Sequence, residues 1–114
     1  MNPRLRPAKR RAHETIAIEL DGQDYKIGLG RELVCVERHL LGPIVEVFLN
    51  ARKVNSALDT LASDGAILLS LLIQHGVSME EIAHSMKRNR DGSPSSILGL
   101  AAAEIVNATN QRRD

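Results

Sequence analysis

The stretch "GPIVEVFLNARKVNSALDTLASDGAILLSLLIQHGV", residues 42–77, changes its period halfway. Up to Leu49 the apolar residues alternate, with Val45, Val47 and Leu49 on one side and Glu46 and Phe48 on the other. A period of two is that of a strand. From Ser56 onward Leu58, Leu61, Gly65, Leu68 and Leu72 fall on steps of three and four, one stripe of a helix. Ser56 suits the N-cap, because its hydroxyl can take one of the free N–H groups of the first turn. "HGV" suits the other end: Gly76 enters the left-handed conformation that stops a helix, and Val77 supplies the accompanying apolar contact. The stretch therefore reads as a strand, a basic loop and a helix expected over 57–75.

Upstream, "ETIAIEL" and "YKIGLG" alternate in the same way, and "DGQD" lies between them. Two alternating runs joined by Asp-Gly predict a β-hairpin. Gly28 and Gly30 suit a bulge, and "ELVCVE" is a further short strand or the bent continuation of the second. Downstream, Ser78 and Glu81 form a capping box that starts a second helix near 79–88. "NRDGSPSS" is a loop, and a third helix follows over about 95–108. Strands first and helices afterwards predict an α+β fold: a small antiparallel sheet of three or four strands followed by three helices packed on one face.

Length and composition agree with one domain. The chain has 114 residues, 43% of them hydrophobic and 2% aromatic, so the core must be built from aliphatic side chains. Residues 1–13 form a basic arm without periodicity, expected to be disordered, and residues 14–110 form the domain. Arg4, Arg6, Lys9, Arg10 and Arg11 lie in the first twelve residues with no acid among them. The remaining residues carry 10 basic and 14 acidic side chains, a net of −4. Such an arm can neutralise phosphates, although no aromatic residue accompanies it for base stacking, and a solvated tail is the simpler reading. The single cysteine, Cys35, allows no disulfide within the chain, and the absence of an apolar signal core at the start points to a cytoplasmic, soluble protein.

The inventory of reactive residues is thin. The histidines at 13, 39, 75 and 84 have no ligand spacing, so no metal site is expected. No catalytic residue and no cofactor can be nominated: Glu14, Glu19, Glu37 and Glu46 are scattered along strands, and there is no phosphate-binding glycine loop. One constellation has a mechanism. Arg52, Lys53, Asn55 and Ser56 approach a helix N-terminus, where free N–H groups can hold a phosphate or a partner's carboxylate. Ordinary capping is the competing explanation. "KRNR", residues 87–90, reads as a helix end complementing the macrodipole.

Residues 42–82 resemble a segment of the adenosylcobalamin-dependent (class II) ribonucleotide reductases, in which a G-x-x-x-E-[IV]-F-[IL] strand leads through a lysine loop to a long helix ending in Q-[HY]-G-V and then an E-E helix start. The positions that carry the likeness are Gly42, Glu46, Val47, Phe48, Leu49, Lys53, Gln74, His75, Gly76, Val77, Glu80 and Glu81. The same pattern is similar to the TSCPD domain, found at the C-terminus of some of those reductases and as free-standing proteins. The Thr-Ser-Cys-Pro-Asp motif that names the domain is absent here. The resemblance implies an accessory role linked to deoxynucleotide and DNA synthesis, with a ribonucleotide reductase or other replication-linked protein as partner. Ribonucleotide reduction needs a radical cysteine and a redox pair of thiols, and one cysteine cannot supply them, so the chain is expected to be non-catalytic. The alternative is a nucleic-acid or nucleotide-phosphate binder that uses the arm and residues 50–56.

A homodimer is also expected. Residues 66–73, "AILLSLLI", are apolar nearly all round, with Ile67 and Leu71 away from the leucine stripe, and in the third helix Ile97 and Leu100 add to the stripe of Leu98, Ala102 and Ile105. A helix apolar on every side is covered on more than one, which nominates Ile67, Leu71, Ile97 and Leu100 as an interface. For the arm the expectation is that deleting residues 2–12 leaves the melting temperature almost unchanged, as read by a thermal scan.

Overall fold

The computed structural model of the protein describes residues 11–35, 40–52 and 56–111. Three antiparallel strands, β1 (Arg11–Leu20), β2 (Gln23–Cys35) and β3 (Leu40–Ala51), form one sheet in the order β1-β2-β3. Three helices follow: α1 (Ala57–Gln74), α2 (Met79–Ser85) and α3 (Ile97–Gln111). The architecture is the α+β fold expected, with three strands.

Asp21 and Gly22 form the two-residue turn of the hairpin, both with positive φ (51° and 78°), as a type I′ turn requires. Leu20 and Gln23 close it, and this sets Ile16 opposite Ile27 and Ile18 opposite Tyr25. "ELVC" is the continuation of β2. The register against β3 shifts between Gly30 and Arg31 and twice more before Cys35, so the bend begins where the glycines predicted it. β1 starts at Arg11, earlier than expected. Residues 11–13 are therefore sheet rather than arm, and the deletion that spares the strand ends at residue 10. Residues 1–10 lie outside the described residues.

Alternation gives the sheet two unlike faces. Tyr25, Ile27, Leu29, Val45, Val47, Leu49 and Ala51 are buried, while Thr15, Ala17, Glu19, Lys26, Phe48 and Asn50 are exposed. The buried face forms one core with Ala62, Ala66 and Leu69 of α1, Ile82 of α2, and Ala101, Ala102 and Ile105 of α3. At one end of that face Arg31 is buried. Its Nε donates to Oε1 of Glu14 at 2.7 Å and its Nη1 reaches the Gly42 carbonyl at 3.5 Å, while its Nη2 has no hydrogen-bond partner.

The helices begin and end largely as the sequence predicts. Ser56 accepts from the Asp59 N–H and Ser78 from the Glu81 N–H, both at 3.1 Å. α2 ends at Ser85, short of the expected 88, and α3 starts at Ile97 with the Ser96 hydroxyl accepting from Gly99 N–H. Between them Arg88 donates to the Ala83 carbonyl at 3.4 Å, so one member of "KRNR" does serve the end of α2. In the following turn Asp91 accepts from the hydroxyl and then the backbone N–H of Ser93, and these bonds hold its carboxyl below the usual range.

Two glycines are required. Gly65 lies where α3 crosses α1, and a Cβ there would overlap the Leu98 side chain. Gly76 has φ 91°; its N–H bonds Ile73 O at 3.1 Å and the next N–H, of Val77, bonds Leu72 O at 3.0 Å, the pair of bonds that defines a Schellman motif. A β-branched side chain is least tolerated in that conformation. Gly76→Val is therefore expected to lower stability by about 1–2 kcal/mol in a denaturant titration, since only glycine is free of the steric penalty.

Candidate protein-binding face

α1 carries two apolar faces and one polar row, and the polar row decides its orientation. Asp59, Ser63, Ser70 and Gln74 are spaced four, seven and four residues apart, so they line one side of the helix. That side lies along the outer edge of β3, whose odd-numbered residues turn their backbone groups away from β2. The Asp59 carboxylate accepts from Ala51 N–H at 3.0 Å and from the Asn50 amide at 3.3 Å. Ser63 donates to the Leu49 carbonyl at 3.2 Å. Ser70 accepts from Val47 N–H at 2.9 Å, with the Val47 carbonyl 3.0 Å from the same hydroxyl. Gln74 donates to the Val45 carbonyl at 2.7 Å. A strand edge that would otherwise present unpaired groups is thus closed by side chains.

With the polar row fixed there, Ala62, Gly65, Ala66 and Leu69 face the core, and the leucine stripe faces outward. Leu58, Leu61, Leu68 and Leu72 are 47%, 66%, 61% and 41% exposed. This reverses the direction the sequence suggested for the stripe. The small residues pack because α3 approaches closely, and the large ones are left outside. Ile67, expected at an interface, is also exposed, at 56%. Beside it a groove of about 330 Å³ separates α1 from β3, walled by Ile67, Leu71 and Phe48, with Ser63 and Ser70 in its floor. α1 is also long and apolar enough, by length and composition alone, to cross a bilayer, although a third of it is buried here.

The other nominated residues fall in different places. Leu71, Ile97 and Leu100 are half-buried, the first in the groove wall and the other two on α3, with Ile97 packed against the core. Arg52 is engaged: its N–H bonds the Asp24 carbonyl at 2.9 Å and its guanidinium meets the Asp24 carboxylate at 3.3 Å. Ser56 is the cap already described. Lys53 and Asn55 lie outside the described residues, as does the side chain of Cys35. Among the described residues no three His, Cys, Asp or Glu side chains gather as a metal site. The signal for the edge closure was present in the sequence, as polar residues at helical spacing beside a strand, but read alone they look like a solvated face.

Comparison with protein-family models, with curated proteins and with solved structures finds no match.

The orientation of α1 has a direct test. Ser70→Ala leaves a β3 N–H without its acceptor and is expected to cost about 1–3 kcal/mol. Leu61→Ala, on the open face, is expected to change stability by less than about 0.5 kcal/mol. Chemical denaturation of the two variants separates this arrangement from one with the leucines inward, in which Leu61→Ala is the damaging change.

Proposed function

We propose that this chain is a non-catalytic accessory domain that acts by binding another protein through the open face of α1. The observation that carries the reading is the outward leucine stripe. Four leucines on one side of one helix, Leu58, Leu61, Leu68 and Leu72, stand 41–66% exposed, and an exposed apolar stripe of that kind marks an interaction site. The charge on this face is low, since α1 holds no Lys or Arg and its two acids are Asp59, which is buried, and Asp64. An interface centre is depleted of charge in the same way. A membrane-surface helix carries Lys and Arg on its polar flank, and this one has none, so a protein is the better-matched occupant.

The resemblance of residues 42–82 to class II ribonucleotide reductases supplies the candidate partner: a reductase of that class, or another protein of deoxynucleotide synthesis, in the cytoplasm. The phosphate-binding alternative has less support, because Arg52 and Ser56 are both engaged in bonds within the chain.

The test is a titration of the full chain into a purified adenosylcobalamin-dependent reductase from the same organism, followed by calorimetry, with Leu68→Asp beside the wild type. Saturable binding that Leu68→Asp weakens by tenfold or more, roughly the loss of one anchor side chain, supports the reading. Binding equal in the two proteins would place the contact elsewhere. No binding to the reductase, with capture of nucleic acid that falls steeply with salt, would favour the alternative.

A further inference from the structure

The two edges of the sheet are treated differently. β3 is closed by α1, whereas β1 is the terminal strand on the other side and no described element pairs with its outer edge. Its free groups can be assigned. The closing pair of a two-residue hairpin, here Leu20 and Gln23, is hydrogen-bonded, so the even residues of β1 bond β2 and the odd ones turn outward. His13, Thr15, Ala17 and Glu19 therefore present their N–H and C=O groups to the open side. The edge is ten residues long and contains no proline or lysine, the residues that commonly blunt such an edge. On the inner face Ile16, Ile18 and Leu20 are only half-buried, because the helices do not reach fully across β1.

We infer that the outer edge of β1 pairs with β1 of a second copy, antiparallel and about a two-fold axis at Ile16, joining two sheets into one of six strands. The charge along the strand selects this occupant. β1 begins at Arg11 and His13 and ends at Glu19, with Asp21 next in the turn, the last two exposed. An antiparallel copy brings the basic end of each strand to the acidic end of the other. With Ile16 on the axis, Thr15 stands opposite the partner's Ala17, His13 opposite the partner's Glu19 and Arg11 opposite the partner's Asp21. The odd residues then form about eight hydrogen bonds, two for each hydrogen-bonded pair. Ile16 meets the partner's Ile16 on the inner face, so the apolar surface left half-covered by the helices continues across the junction. Like and unlike edges are thereby sorted: a copy turned parallel would set basic end against basic end. It leaves both α1 faces open at the far edges of the joined sheet. It does not rest on the reading of α1.

The experiment is sedimentation equilibrium of the full chain at micromolar concentration, with three variants. The wild type is expected to have twice the 12.5 kDa chain mass. Ala17→Pro removes an N–H that faces the open edge and makes no bond to β2, a position where an edge strand accepts proline; it is expected to be a monomer with an unchanged circular-dichroism spectrum. Glu19→Lys, which tests the charge match even if the proline variant misfolds, is expected to weaken the dimer severalfold at low salt and little at high salt, since the acidic end of each strand loses a charge and the new lysine stands diagonal to the partner's Arg11. Leu68→Asp is expected to remain a dimer. A wild-type monomer overturns the inference. So does a dimer untouched by both β1 variants, or one that Leu68→Asp dissociates. A monomeric Ala17→Pro that still binds the reductase, or a dimeric Leu68→Asp that no longer does, shows that the two contacts are separate.

Discussion

Everything in this fold is placed by the row of side chains that α1 lays against β3. Asp59, Ser63, Ser70 and Gln74 satisfy four backbone groups that the terminal strand would otherwise leave bare, and the Ser70 hydroxyl shares its one hydrogen between a fifth, the Val47 carbonyl, and the Ala66 carbonyl. A buried polar group left unpaired costs about 1–3 kcal/mol, so the row fixes both the rotation of α1 about its axis and its position along the strand. The spacing of the row matches the geometry: a helix rises 1.5 Å per residue and a strand about 3.4 Å. Fifteen residues from Asp59 to Gln74 therefore run about as far as the six from Ala51 back to Val45. The strand and the helix run antiparallel, and each polar side chain meets the next outward-facing pair of backbone groups.

That fixed rotation explains the packing on the other side. The surface α1 turns to the core is made of Ala62, Gly65, Ala66 and Leu69, which is thin, and α3 approaches closely enough to seat Leu98 against Gly65. The opposite rotation would bury the leucines, at roughly 1.5–3 kcal/mol for each when fully covered. The exposed leucines are already about half covered, so the gain is a fraction of that. Against it stand at least four unmade edge bonds and the overpacking of large side chains where alanine and glycine now fit, each change about 1–3 kcal/mol. The edge closure wins, and the apolar stripe stays outside.

The sequence shows the elements plainly and their orientation poorly. The hairpin turn at Asp21–Gly22, the caps at Ser56 and Ser78, and the stop at Gly76 are local chemistry, and all lie within a residue or two of the positions expected. The start of β1 was not visible, because arginines carry no periodicity. The direction of α1 was misread for a physical reason: amphipathic periodicity locates a stripe, but the side that is buried depends on what each neighbour can bond. Serine and glutamine next to water and serine and glutamine next to a bare strand edge look the same in one dimension. The residues nominated for an interface lie in different settings. Ile67 is exposed because it lies on the rim of the groove, whereas Leu71, Ile97 and Leu100 are drawn partly into the packing of α1 and α3.

The contrast between the two edges then bears on what the fold is for. A small sheet with helices on one side has two edges to manage, and sequence can be spent on closing either. Here the closed edge required a helix whose polar side faces the strand, and that choice forced an apolar side toward solvent. Closing one edge thus left an apolar stripe of α1 exposed and the other edge, on β1, without a described strand beside it. The two lie at opposite ends of the strand order, so occupation of one does not obstruct the other. Contact at the proposed β1 edge would run through backbone groups and charge order, which is sensitive to register and salt. Contact at the proposed α1 face would run through aliphatic area, which depends on shape instead. On these two proposals a domain with few reactive side chains would discriminate between a copy with the same charge order at β1 and a partner with an apolar groove at α1.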